Sequence, residues 1–257
     1  MIRTPLLLVV LCAVFGLLQL DAHAQSPTEL RIASAADFKG WEKLHLFAHG
    51  QLSELCRIPR PHTPELSAYG DRLERELNYA SWGMLAIGFR MLNRSASDDA
   101  EFHRLLDRVH EEYKRLYVRY GELVEELSFV AAALSDDAHS AEARAALQAT
   151  HRDLQAAAVE FRAIHFGLTI ELATIDSAKD KVAKASTVPQ ARPSREEIEA
   201  MRREQTRKSL AAAKRVLQAF LAEFPKRKAA AEARYVALDW RTRHPSLAAA
   251  YARRFEQ

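Results

Sequence analysis

The chain has 257 residues, of which 37 are Lys or Arg and 34 are Asp or Glu, and its formal net charge is +3. Only 8 residues are Gly, whereas Ala, Leu, Arg and Glu are abundant, a composition that is typical of long helices and disfavours a turn-rich sheet protein. No stretch alternates apolar and polar residues for long enough to predict a strand. We therefore predict an all-α protein: a long-helix antiparallel bundle, coiled-coil-like, followed by a shorter helical tail.

Residues 1–24 have the pattern of an export signal. Arg3 supplies a positive start, Pro5 to Leu18 form an uncharged apolar run, and Ala22-His23-Ala24 has the small-x-small form that signal peptidase cuts. We expect cleavage after this tripeptide, so that the mature chain begins at Gln25 and reaches the periplasm. An uncleaved anchor stays open, but the run is shorter than the roughly 20 residues that a membrane span needs.

Only one of the two cysteines, Cys56, remains in the predicted mature chain. A single thiol cannot form an internal disulfide, so the fold must depend on packing. Two interpretations of Cys56 stay open, a small buried side chain and a thiol that contacts a partner. It precedes a basic, proline-rich stretch with Arg57 and Arg60, which is either a rigid connector or a contact for a partner.

Capping residues predict where the first two helices begin. Ser34 and Asp37 resemble a capping box for the first helix, and the prolines that follow Cys56 end it. Thr63-Pro64 is an N-cap and first-turn pair for a second helix that runs to about Asn93.

The third helix, from about Asp98 to Leu134, has the most regular apolar pattern in the sequence. Steps of four and three residues alternate without a break through Phe102, Leu106, Val109, Tyr113, Leu116, Tyr120, Leu123, Leu127, Val130 and Leu134. A fourth helix repeats the pattern with apolar residues seven apart from Leu147 to Val182. We predict an antiparallel hairpin of these helices within a bundle domain, residues 25–185. The seam is either covered within the chain or available to a partner.

The prolines and small polar residues of 186–193 predict a linker. Beyond it, residues 194–257 form a basic tail: from residue 192 onwards, 16 Lys and Arg against 8 Asp and Glu leave a net charge of +8. Ser194 and Glu197 form a capping box, and Pro225 and Pro245 are expected to divide the tail into three helices.

Basic side chains of this tail are candidate contacts for a partner. They are Arg227, Lys228, Arg241 and Arg243. The tail is either an ordinary solvated face or a peripheral contact with an anionic envelope surface. We expect no nucleic-acid partner for an exported chain.

Residues 213–238, AKRVLQAFLAEFPKRKAAAEARYVAL, resemble the helical hairpin of tetratricopeptide-like proteins of the bacterial envelope, with Phe224-Pro225 at the turn. In that family such hairpins stack to form a concave surface for peptides or partner proteins. No second copy occurs at a period near 34 residues, so the resemblance implies a single hairpin packed on the bundle.

Histidine and tyrosine residues supply the remaining candidates. His45 and His49 are four residues apart and share a helix face, so they are either two metal ligands or ordinary surface and core residues. His165 is expected beside the buried stripe of the fourth helix. Tyr117 lies one step off the seam of the third helix and is expected to be exposed, which makes it a candidate contact for a partner. We predict no cofactor.

The sequence contains none of the recognisable motifs for a nucleophile elbow, a phosphate loop, haem attachment or a zinc protease. We therefore predict an exported, periplasmic, non-catalytic protein that binds other envelope proteins or itself, as an adaptor, chaperone or accessory component of an envelope or secretion assembly. A small-ligand or metal-binding bundle is the first alternative. A helical enzyme that acts on envelope material is the second.

Overall fold

The computed structural model describes residues 26–92, 99–135, 139–185 and 194–255, and these contain helices and connections but no strand. The predicted signal peptide and the predicted linker lie outside these residues. The chain divides into two compact units, residues 1–30 and residues 31–257. The described part of the first unit is a short 3-10 turn, Pro27–Glu29, and its flanking residues.

The described residues of the second unit form seven α-helices, which confirms the all-α prediction. They are α1 (Phe38–Leu55), α2 (Pro64–Leu92), α3 (Asp99–Leu134), α4 (Ala141–Ala185), α5 (Arg195–Leu238), α6 (Trp240–Arg243) and α7 (Pro245–Phe255). None of these helices combines the length and the apolar character that a membrane span requires.

The predicted capping boxes are formed. The backbone N–H of Ser34 donates to Asp37 Oδ2 at 2.8 Å and opens a 3-10 turn that leads into α1. The backbone N–H of Glu197 donates to Ser194 Oγ at 3.2 Å, and the reciprocal bond to the Glu197 carboxylate measures 2.7 Å. These side chains satisfy backbone donors that have no partner within the first turn of a helix.

Successive long helices pack side by side, with α1 against α2, α2 against α3, α3 against α4 and α4 against α5. They run antiparallel: Arg90 near the end of α2 pairs with Asp107 near the start of α3, whereas Ser135 after α3 donates to Glu65 at the start of α2.

Helices α3 and α5 are therefore parallel. Two ion pairs show this: Lys214 of α5 pairs with Glu101 of α3, and 18 residues later on both helices Glu232 pairs with Arg119 at 2.9 Å.

The seam of α3 is covered within the chain. Nine of its ten residues are buried, namely Phe102, Leu106, Val109, Tyr113, Leu116, Tyr120, Leu123, Leu127 and Val130. Leu134, at the end of the helix, is half-buried. Helices α2, α4 and α5 pack against α3, so the seam by itself does not imply a partner.

The helix boundary predicted at Pro225 is wrong, because α5 continues through this residue from Arg195 to Leu238. The expected turn at Phe224-Pro225 is therefore not formed. An internal proline costs a helix about 3 kcal/mol. Phe224 and Ala231 are buried on either side of it, and their packing on the bundle outweighs that cost.

The region predicted as a shorter tail belongs to the bundle. Helix α5 has 44 residues and α4 has 45. Trp240 and Tyr251, from the two short helices that follow, share one apolar core with residues of α3 and α4. The sequence suggested a separate tail because its charge and its prolines change there, whereas burial decides which segments pack together.

A buried carboxylate on α3 forms hydrogen bonds with this C-terminal region. Glu126 is 2% exposed and accepts hydrogen bonds from the Tyr235 hydroxyl at 2.6 Å, from Trp240 Nε1 at 2.9 Å and from Arg241 Nη2 at 2.9 Å. Charged acceptors strengthen such bonds. The turn between α5 and α6 contains Asp239 in the left-handed region, with φ 41°.

Candidate interaction surface

Four polar side chains meet inside the bundle, between α2, α3 and α4. Nδ2 of Asn78 donates to the His165 carbonyl oxygen at 2.7 Å and lies 2.7 Å from His165 Nδ1. The Tyr113 hydroxyl donates to the same carbonyl at 2.6 Å and lies 3.0 Å from Oγ1 of Thr169. All four side chains are buried, so their hydrogen bonds hold these segments of the three helices in position relative to one another.

His165 is neutral at physiological pH. Burial, with a smaller contribution from the charge of Arg75, lowers its pKa to about 3. Its ring packs at 4.9 Å from the ring of Tyr113. A neutral ring with its proton on Nε2 accepts at Nδ1 from Asn78 Nδ2. This cluster can therefore position helices, and it takes up a proton only in acid.

The expectation that Tyr117 is exposed is wrong, because its side chain is 4% exposed. Its ring stacks on Tyr79 with centroids 4.1 Å apart, and the guanidinium of Arg75 lies 4.4 Å from the ring centroid. Its hydroxyl donates to Glu76 at 2.5 Å. Helix α2 covers this side of α3, so a residue one step off the seam is buried as well.

The outward side of α4 carries a solvent-facing apolar face. Between Gln155 and Glu171 the exposed residues are all apolar, and they are Ala156, Val159, Ala163 and Ile170, here named the outer α4 face. Val159 is 58% exposed and Ile170 is 60% exposed. At 1.5 Å per residue the face is about 21 Å long. Arg152, one helical turn before Ala156, is exposed and charged, so the face begins after it.

Charged residues of neighbouring helices border this face. On one side, Arg162 of α4 pairs with Asp71 at 3.7 Å and with Glu74, both on α2. On the other side, Glu160 of α4 pairs with Arg234 of α5. The face therefore lies between α2 and α5.

Gly167 adds space beside the outer α4 face. A Cβ placed on it would meet no atom within 4 Å, so packing within the chain does not require a glycine there. Glycine inside a helix costs about 1 kcal/mol relative to alanine. Gly50 and Gly88 are equally open, so Gly167 by itself does not indicate a partner.

The two histidines proposed as metal ligands lie together on α1. The rings of His45 and His49 are stacked with centroids 6.1 Å apart, His45 half-buried and His49 exposed. Burial, followed by the charge of His49, lowers the pKa of His45. Within the part of the chain that the structure describes, no group of three or more His, Cys, Asp or Glu side chains is placed to hold a metal ion.

Cys56 is an exposed free thiol at the end of α1. Arg57 beside it forms an exposed ion pair with Glu54 at 2.5 Å, and Arg60 is exposed in the connection to α2. These three candidate contacts for a partner thus lie at one end of α1 and are open to solvent.

The basic candidates of the C-terminal region occupy different environments. Arg227 is exposed and Lys228 is half-buried, both on α5. Arg241 bonds the buried Glu126, and Arg243 lies 3.5 Å from Asp153 and donates to the carbonyl oxygen of Leu238. Contacts within the chain therefore already engage Arg241 and Arg243.

The outer α4 face was not predicted from the sequence. The residues seven apart from Leu147 predicted the inward side of α4, and Leu147, Leu154, Phe161 and Leu168 are indeed buried. Apolar residues at steps of three, four and seven from Ala156 formed a second stripe in the same sequence. Periodicity alone cannot tell which of two stripes the rest of the chain covers.

Comparisons of the chain with protein-family models, with curated proteins and with solved structures found no match. The resemblance of residues 213–238 to tetratricopeptide-like proteins therefore stays a prediction, and the turn that it implied at Pro225 is not formed.

Proposed function

We propose that this protein is exported to the periplasm and acts without catalysis by binding other envelope proteins or a second copy of itself, as an adaptor, chaperone or accessory component of an envelope or secretion assembly. The signal-like pattern of residues 1–24 supports the location. The outer α4 face supports the mode of action.

This face supports the proposal because its four exposed apolar residues follow one another at helical steps along one side of α4. Single exposed apolar side chains are common on monomeric proteins, whereas contiguous apolar stretches mark contact surfaces. Full burial of a Val or Ile side chain contributes about 1.5–3 kcal/mol. Val159 and Ile170, each more than half exposed, have most of this stabilisation still to gain from a partner.

Photo-crosslinking in cells that produce the full chain tests the proposal. A photoreactive residue placed at Ile170 is expected to give adducts with protein, because a partner would cover this position. Val236 of α5 is the matched control, since it is 69% exposed and lies outside the outer α4 face. Equal adducts at both positions, or none at Ile170, would contradict the proposed mode of action.

Cell fractionation and N-terminal sequencing of the recovered protein test the location. We expect the chain in the periplasmic fraction with Gln25 as its first residue. Recovery of the full-length chain from the cytoplasm would contradict export.

A further inference from the structure

We propose that the outer α4 face binds a second copy of this chain, with the two α4 helices parallel about a two-fold axis that runs along the pair. This inference rests on the proposed function and names its partner. Three features support it: the shape of the face, the charges at its borders, and its unsuitability for a lipid surface.

The shape of the face permits two α4 helices to approach closely. In a parallel pair each residue meets its own copy, and the steps from Ala156 to Val159 and to Ala163 are those of a left-handed helix pair. The alanines bring the helices together, and the side chains of Val159 and Ile170 fill the contact. Arg152 lies beyond the paired segment, where its long side chain can turn to water.

The borders of the face are complementary in charge. On the α2 side, Asp71 and Glu74 with Arg162 leave one negative charge. On the α5 side, Arg234 is paired with Glu160. Arg227, seven residues before Arg234 and therefore on the same side of α5, is exposed and leaves one positive charge.

Only a parallel pair brings the negative border of one copy opposite the positive border of the other. Rotation by 180° about an axis along α4 places the α2 border of one copy over the α5 border of the other. In an antiparallel pair, the α5 border of one copy would instead face the α5 border of the other. Arg227 and Arg234 would then lie opposite the Arg227 and Arg234 of the second copy. This repulsion between like charges disfavours the antiparallel pair. The charges therefore determine the orientation of the two helices more than the affinity of the dimer.

The same borders disfavour an anionic membrane as the occupant. A lipid surface attracts the basic border but repels the carboxylates of Asp71 and Glu74 on the other side. A contact about 21 Å long is small for a protein interface, so we expect a dimer that dissociates on dilution.

The test combines a disulfide with sedimentation equilibrium on the mature protein recovered from the periplasm. In a Cys56→Ser background, the cysteine of Ala156→Cys is expected to form a disulfide with the same residue of the second copy on mild oxidation. A parallel pair brings the two Cα atoms of residue 156 within the separation of about 4–7 Å that a disulfide spans. Val236→Cys, on another exposed surface, is expected to stay unlinked. An antiparallel pair would hold the two copies of residue 156 apart.

Sedimentation equilibrium supplies the second readout. Val159→Glu is expected to raise the dimer dissociation constant roughly tenfold or more, whereas Val236→Glu leaves it unchanged. Circular dichroism shows whether each variant keeps its helices.

A wild-type chain that is monomeric at every concentration overturns the inference, as does a dimer in which Ala156→Cys does not link. If the chain is monomeric but Ile170 crosslinks to a different protein, self-association fails and the proposed function stands; if it crosslinks to none, both fail.

Discussion

The indole ring of Trp41 on α1 packs directly against Gly83 on α2. A Cβ added to Gly83 would lie 2.1 Å from Cδ2 of Trp41, far closer than non-bonded atoms approach. Trp41 is fully buried, and its Nε1 donates to the carbonyl oxygen of Arg31 at 2.6 Å. The close approach of α1 therefore requires a glycine in the middle of α2.

We predict that Gly83→Ala lowers the free energy of unfolding by about 1–3 kcal/mol, because overpacking displaces Trp41. Gly88→Ala on the same helix is the matched control. Its Cβ would meet nothing within 4 Å, so the gain in helix propensity should raise stability by about 0.5–1 kcal/mol. Urea unfolding measures both. A Gly83→Ala variant that is stabilised like Gly88→Ala would show that α1 does not pack on Gly83.

The buried His165 predicts a loss of stability in acid. Its pKa is about 3 in the folded chain, against an ordinary value of 6.5. Between these values the unfolded chain binds a proton that the folded chain does not, so the free energy of unfolding falls as pH falls. The full slope for one proton is about 1.4 kcal/mol per pH unit.

His165→Gln is expected to flatten this pH dependence, although it lowers stability at neutral pH by disturbing the Asn78 network. Urea midpoints at about pH 7 and about pH 4.5 measure the difference. Gly88→Ala, which removes no titratable group, should keep the wild-type slope. An unchanged slope in His165→Gln would show that another group causes the acid sensitivity.

Glu126 should contribute more to stability than an exposed glutamate of the same helix. We predict that Glu126→Gln costs about 1–3 kcal/mol, because the amide presents a donor to a site lined by the donors of Tyr235, Trp240 and Arg241. Glu122→Gln removes the ion pair of the exposed Glu122 with Arg119, which keeps its pair with Glu232, and should cost less than about 0.5 kcal/mol. Equal losses in urea unfolding would contradict a role for Glu126 in holding the C-terminal region.

The continuity of α5 through Pro225 has its own test. Pro225→Ala should raise the free energy of unfolding by about 1–3 kcal/mol, because the exposed proline interrupts the hydrogen bonds of an otherwise continuous helix. Pro245→Ala at the first residue of α7, where proline is well tolerated, should change it by less than about 0.5 kcal/mol. Destabilisation by Pro225→Ala would indicate a turn at that residue instead.

Local signals in the sequence were sufficient for the helical class and for the capped helix starts. The capping pairs Ser34 with Asp37 and Ser194 with Glu197 form as predicted, because a cap depends on residues three positions apart. The seam of α3 was also predicted, since a regular apolar period needs no knowledge of the partner helix. At Pro225 the same local reasoning failed, because burial of distant residues outweighed a local preference.

By itself, the sequence determined an all-α chain with long apolar stripes and a signal-like beginning. Only the tertiary structure decided which stripe is covered, that Tyr117 is buried under α2, and that Ala156, Val159, Ala163 and Ile170 face solvent. Helix period is a property of neighbours along the chain, whereas exposure depends on segments far apart in sequence that fold against one another.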